Sequence, residues 1–127
     1  MDSDEINSGA YQIFIYISKN IKLKIGKLGS FEFPKGNYVY TGSAMKNLKQ
    51  RVARHKSKSK TLKWHIDYLL DNKFVKIKDI KLFFSTQKKE CELNQILLVD
   101  PNAFVPVKKF GSSDCRNCPA HLVGFIN

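Results

Sequence analysis

The chain has 127 residues, 43% of them hydrophobic, enough for one domain with an ordinary globular core. Its 22 Lys and Arg outnumber 11 Asp and Glu, and the formal charge of +11 turns the search for partners toward polyanions. No apolar run approaches the roughly 20 residues of a membrane helix, and the Met-Asp-Ser-Asp-Glu start has neither the basic nor the apolar stretch of a signal peptide, so a cytoplasmic protein with no membrane partner is expected.

Residues 1–8 are polar and acidic and read as a disordered tail, leaving 9–127 as a single domain. Tyr11 to Ile17 is β-branched and aromatic, broken only by Gln12, the pattern of a buried central strand. Ser18-Lys19-Asn20 is a turn, and Lys22 to Ile25 alternates as a half-buried strand does. Gly26, Gly29, Pro34 and Gly36 punctuate the next stretch, and Tyr38 to Thr41 returns as a short strand ended by Gly42. A helix is predicted from Ser43 or Ala44, with Leu48 and Val52 on its apolar face and Arg51, Arg54, His55 and Lys58 on a different one. A second helix is predicted near Leu62 to Leu70, with Ile66, Leu69 and Leu70 inward. Val75 to Lys78 and Ile80 to Phe84 read as extended, and Glu90 to Val99 as a third helix. Pro101 to Pro106 reads as loop, Phe110 to Asp114 as turn, and Leu122 to Ile126 as a last edge strand. This order implies an α+β fold with a small mixed central sheet flanked by helices.

The charge is not evenly spread. No acidic residue lies between Glu32 and Asp67, an interval that holds Lys35 and Arg51 together with Lys46, Lys49, Arg54, Lys56, Lys58, Lys60 and Lys63. Such a block repels itself unless an anion sits near it, and a phosphate backbone is the commonest such anion. The last seven are the candidate nucleic-acid contacts, and they carry no evident base-reading code, so weak sequence specificity is expected. Trp64 reads as a core residue in preference to a base-stacking platform.

Acids are few enough to argue by elimination. A two-metal nuclease needs several converging carboxylates, and Glu90 and Glu92, two apart on a predicted helix, point in different directions. A one-metal site with a single glutamate is easier to build. Arg51 and His55 stand one helical turn apart and face the same way. The arginine can clamp a phosphate and the histidine can orient water or shuttle a proton, although spacing alone serves solvated surface groups equally well.

The ordered set Gly9-Ala10-Tyr11, then Asn37 to Ala44 with Tyr40-Thr41-Gly42, then Asn47-Leu48, Arg51 and His55, resembles the GIY-YIG nuclease superfamily. Lys63 to Leu69, Glu90-Cys91 and Phe110 to Cys115 resemble an uncharacterised prokaryotic branch of it, so the likeness covers most of the chain. It implies that Tyr11 and Tyr40 are the two motif tyrosines and that Arg51 is the catalytic arginine. It also implies that His55 and His65 occupy positions that are histidine in some members, and that Glu90 holds one Mg²⁺ or Mn²⁺. By the same likeness the ion binds the scissile phosphate, Tyr11 accepts a proton from water once Arg51 or other nearby cations bring its pKa down, and Tyr40 and His55 position water and phosphate. The gap from Tyr11 to Tyr40 is longer than in most members, which makes Ile21 to Pro34 an inserted hairpin. The family's late asparagine has no clear counterpart, leaving Ser112, Ser113 or Asp114 as substitutes.

Three cysteines, Cys91, Cys115 and Cys118, make an odd count, which in a cytoplasmic chain argues against a disulfide framework. Cys115-x-x-Cys118-x-x-His121 offers three zinc ligands within seven residues, with Cys91 as a fourth. Buried reduced thiols, or a redox-labile pair, are the preferred reading over zinc. The expected function is that of a metal-dependent endonuclease acting on nucleic acid, DNA ahead of RNA, with a protein partner for targeting left open. The alternatives are a nucleic-acid-binding module that keeps the fold without cutting, and a zinc-stabilised adaptor that meets proteins.

Overall fold

The structure, a computed structural model, describes residues 6–57, 61–87, 89–111 and 118–126. Strand β1 (Gly9–Ile17) pairs on one side with β4 (Gly36–Ala44) and on the other with β5 (Val75–Phe84). Beyond β4 lie β7 (Leu122–Phe125) and the two-residue β6 (Ala103–Phe104), giving the order β5-β1-β4-β7-β6. A separate hairpin is formed by β2 (Ile21–Ile25) and β3 (Gly29–Phe33), joined by a 3-10 turn over Gly26–Leu28. The helices are α1 (Leu48–Lys56), α2 (His65–Leu70) and α3 (Glu90–Leu98).

The α+β class is as the sequence implies, but the sheet expected to be mixed is antiparallel at every described pairing. Leu122 to Phe125 is not an edge strand. It is interior, because Ala103 and Phe104, expected as loop, pair with it on the outer side. The two extended segments before α3 are one strand, bent by a bulge opposite Phe14 and Ile15. This strand forms the other edge and exposes Lys76, Lys78 and Lys81, a composition that discourages pairing with a further chain.

The first helix begins later than predicted. Ser43 and Ala44 remain in β4 because Gly9 and Ala10 still pair with them. The turn into α1 is made by Asn47, whose φ of 59° is tolerated because its short side chain suits the left-handed region. Asn7 then serves the helix N-terminus: its carbonyl accepts from Leu48 N–H at 3.0 Å and its side-chain oxygen from Lys49 N–H at 3.0 Å. Ser8 is likewise tied to Ser85. Residues 6–8 are therefore not part of a loose tail, while residues 1–5 lie outside the described residues. α2 is shorter than predicted, starting at His65 where Asp67 folds back to accept the Trp64 N–H at 2.8 Å.

The core lies on one face of the sheet. Tyr11, Ile13, Ile15 and Ile17 alternate inward from β1, with Tyr38 and Tyr40 beside them from β4. Leu48 and Val52 of α1, and Ile66, Leu69 and Leu70 of α2, close over them as expected from their spacing. The β2–β3 hairpin shares this core, contributing Ile21, Ile25 and Phe33.

Candidate functional site

Ile13 faces Tyr40 and Tyr11 faces Gly42 across β1 and β4. The two tyrosines are thus diagonal neighbours on one sheet face, with ring centroids 6.3 Å apart. A Cβ at Gly42 would stand 2.5 Å from the Tyr11 ring, so the glycine of Tyr40-Thr41-Gly42 is there to let that ring lie against the strand. From α1, His55 enters the same space, its Nε2 2.8 Å from the Tyr11 hydroxyl. Its ring is 5.3 Å from that of Tyr11 and 6.4 Å from that of Tyr40. His55, for which spacing alone served a solvated surface group as well as a site residue, is buried at 2% exposure.

Behind His55 stands Asp67, fully buried, with Oδ1 3.9 Å from His55 Nδ1. Burial alone would push this carboxyl up. Hydrogen bonds from the Arg54 guanidinium and from the backbone N–H groups of Trp64 and Lys63 outweigh it and hold the group below its ordinary value. Arg54 donates Nη1 to Oδ1 at 2.9 Å and Nη2 to Oδ2 at 3.0 Å, a bidentate fork, and Nη2 also reaches the Thr61 carbonyl at 2.8 Å. Asp67, His55 and Tyr11 therefore form an ordered array in which a carboxylate faces an imidazole and the imidazole holds a hydroxyl. Sequence reasoning missed Asp67. The available signal was its place as the first acid after the basic block, at the start of a helix. Arg54, assigned there to nucleic acid, is committed instead to Asp67.

Arg51 donates Nη1 to the Ser43 carbonyl at 2.8 Å and lies 4.8 Å from the centre of the Trp64 ring, against which Arg54 also packs at 4.3 Å. The Arg51 charge reaches both tyrosines, but it does not bring Tyr11 into the range of a base. Burial and the neighbouring Tyr40 push the Tyr11 hydroxyl well above its ordinary value of 10, with Arg51 pulling back only in part. Tyr40 is pushed up to about 12, by burial first and then by Asp67, again opposed by Arg51.

On the far side of Tyr40 is Gly111, at φ +69°, where an added Cβ would stand 2.8 Å from the Tyr40 ring. Its N–H donates to His65 Nδ1 at 2.9 Å, which places the His65 proton on Nε2. Burial lowers the His65 pKa, so the ring is neutral near pH 7. Burial lowers the His121 pKa too, while Glu90 and the Gly111 backbone act to raise it. Glu90 opens α3 beside His121, and its Oε2 is buried with no hydrogen-bond partner among the described residues.

Cys91, Cys118 and His121 form a group that can hold a metal ion, their ligand atoms all within 4.8 Å of one another. Cys91 Sγ is 3.8 Å from His121 Nε2, and the Cys118 thiol lies 3.8 Å from the Cys91 carbonyl. Cys118 is a free buried thiol, in keeping with the reduced-thiol half of the expectation, whereas Cys91 is in a disulfide, which departs from that half and agrees with a redox-labile pair. Cys115 and the substitutes for the late asparagine, Ser112, Ser113 and Asp114, lie outside the described residues. Among the candidate backbone contacts, Lys46, Lys49, Lys56 and Lys63 are exposed, and Lys58 and Lys60 lie outside the described residues. No described helix is long and apolar enough to cross a membrane.

A family model described as a domain of unknown function, DUF123, matches residues 10–127. No curated protein and no solved structure matches the chain.

Proposed function

The chain belongs to the DUF123 family, and from that premise we propose that it is a metal-dependent endonuclease-like domain that hydrolyses phosphodiester bonds in nucleic acid, with DNA as the substrate. The observation that carries this reading is the Asp67–His55–Tyr11 array beside Arg51 and Tyr40. A hydroxyl with so high a pKa does not stand as a tyrosinate. It serves as a relay, taking a proton from the attacking water as its own proton passes to His55 Nε2. Asp67 steadies the charge that forms on the imidazole. Arg51 has a guanidinium fork suited to a phosphate and to the charge that grows on it during displacement.

Glu90 fits a divalent cation, because an orphaned buried carboxylate oxygen is a hard donor in want of a positive partner. Mg²⁺ or Mn²⁺ bound there supplies charge neutralisation at the phosphate and at the leaving oxygen. Neutral His65, with its proton on Nε2, provides a hydrogen-bond donor beside Gly111.

The test is cleavage of supercoiled plasmid, and of branched and single-stranded DNA, with Mg²⁺ or Mn²⁺. The wild type is expected to cut. Arg51→Ala should lose about 10²–10³-fold in rate, and Glu90→Gln should lose metal-dependent cutting while salt-sensitive binding persists. Cutting by Glu90→Gln at the parental rate would sink the metal assignment. A second reading is favoured by the burial of Tyr11 and Tyr40, exposed by 2% and 7%, which closes the pocket to substrate. In that reading the domain binds nucleic acid without cutting it, and binding by the wild type with no cleavage under any of these conditions would establish it over the first.

A further inference from the structure

Cys91 sits on α3, whereas Cys118 and His121 belong to the segment that leads into β7, some thirty positions later. The fold nevertheless gathers their ligand atoms within 4.8 Å of one another, with Cys118 at 6% and His121 at 5% exposure. We propose that, when Cys91 is reduced, Cys91, Cys118 and His121 bind one Zn²⁺ ion that fastens α3 to the strand-entry segment. Tetrahedral zinc, with bonds of about 2.3 Å to sulfur and about 2.0 Å to nitrogen, sets its donors roughly 3.5–3.8 Å apart. The 3.8 Å between Cys91 Sγ and His121 Nε2 already meets that spacing.

The surroundings are those of a ligand set. The His121 backbone is tied on both sides, its N–H donating to the Phe110 carbonyl at 2.8 Å and its carbonyl accepting from Thr41 N–H at 2.9 Å, while its ring Nε2 faces the Cys91 sulfur. Asn94, fully buried one turn after Cys91, donates to the Ala120 carbonyl at 2.6 Å and so clamps the two segments independently of the thiols. Two sulfurs and an imidazole select a soft or borderline ion, unlike the oxygen donor of Glu90, so the two sites take different metals. The Cys91 sulfur cannot serve a disulfide and a metal together, which makes the reduced chain the binding form.

The test uses the full chain, reduced with a phosphine and kept anaerobic, titrated with Co²⁺ and then with Zn²⁺. Thiolate-to-cobalt charge-transfer absorption should saturate at one ion per chain and vanish as Zn²⁺ displaces it. Cys118→Ser and His121→Ala should each weaken binding at least tenfold. His121→Cys, which keeps a donor, should retain it, and circular dichroism on every variant separates lost ligation from lost folding. A reduced wild type with no charge-transfer band would overturn the proposal, as would Cys118→Ser binding Co²⁺ as tightly as the parent. Nothing in this readout depends on cleavage, so its failure leaves the nuclease reading untouched.

Discussion

Asp67 is the most consequential single residue outside the motif. It is a fully buried carboxylate that accepts from Arg54, Lys63 and Trp64 and faces His55. Truncating its main partner strands a buried charge, so Arg54→Ala should cost about 3–5 kcal/mol, near the upper end for one substitution. The pH dependence follows from the direction of the shift. The folded state holds the Asp67 pKa below its unfolded value, so the unfolded chain binds the proton more readily in acid. The stability it contributes is complete above the ordinary aspartate pKa near 3.9 and is lost as pH falls through the folded value. Urea midpoints measured from about pH 6 down to about pH 3 should therefore fall more steeply for the wild type than for Asp67→Asn. Equal slopes would mean that Asp67 is not held as a carboxylate. The same variant, if folded, should cut DNA slowly, because His55 loses the charge that faces its Nδ1.

At the scale of elements, the β1–β4 pair builds the site. The pleat alone brings Tyr11 and Tyr40 to one face, and Gly42 makes room for the first of them. Gly42→Ala would place a methyl 2.5 Å from the Tyr11 ring inside a packed core. It should cost about 1–3 kcal/mol as overpacking does, and should shift Tyr11 off His55 Nε2. Thermal melts and cleavage rates measured together check this, and a fully active variant of unchanged stability would show that the ring has room to move. The cores of β1, β2 and β4 and the α3 boundaries were legible in the sequence because strand alternation and helical spacing are local signals, whereas the two tyrosines were singled out only by the motif resemblance. The rest was not local. Ser43 and Ala44 look helical until their pairing with Gly9 and Ala10 is known. Leu122 to Phe125 looks like an edge until Ala103 and Phe104 are seen outside it. Arg54 looks like one more exposed cation of the basic block, because the acid it serves is thirteen residues away on another helix.

At the scale of the molecule, the net charge of +11 must be divided between cations that fold the chain and cations that face solvent. Arg54 belongs to the first kind, held by Asp67, while Arg51 is tied to the Ser43 carbonyl and packed on Trp64. Lys46, Lys49, Lys56 and Lys63 are exposed around α1 and the approach to α2, beside the pocket that holds Tyr11 and His55. A phosphate backbone crossing this surface would release one condensed counterion for each lysine it neutralises. The dependence of affinity on salt therefore distinguishes the two kinds of cation. Lys46→Ala and Lys56→Ala should each lower the slope of log affinity against log salt by about 1, alike for different DNA sequences, and leave thermal stability nearly unchanged. Arg54→Ala should do the reverse, lowering stability with a slope close to the parent. Fluorescence anisotropy with two unrelated duplexes over a range of salt measures both. A slope that none of the lysine substitutions changes would place the nucleic acid on another surface, and the edge strand β5, with exposed Lys76, Lys78 and Lys81, would be the next one to substitute.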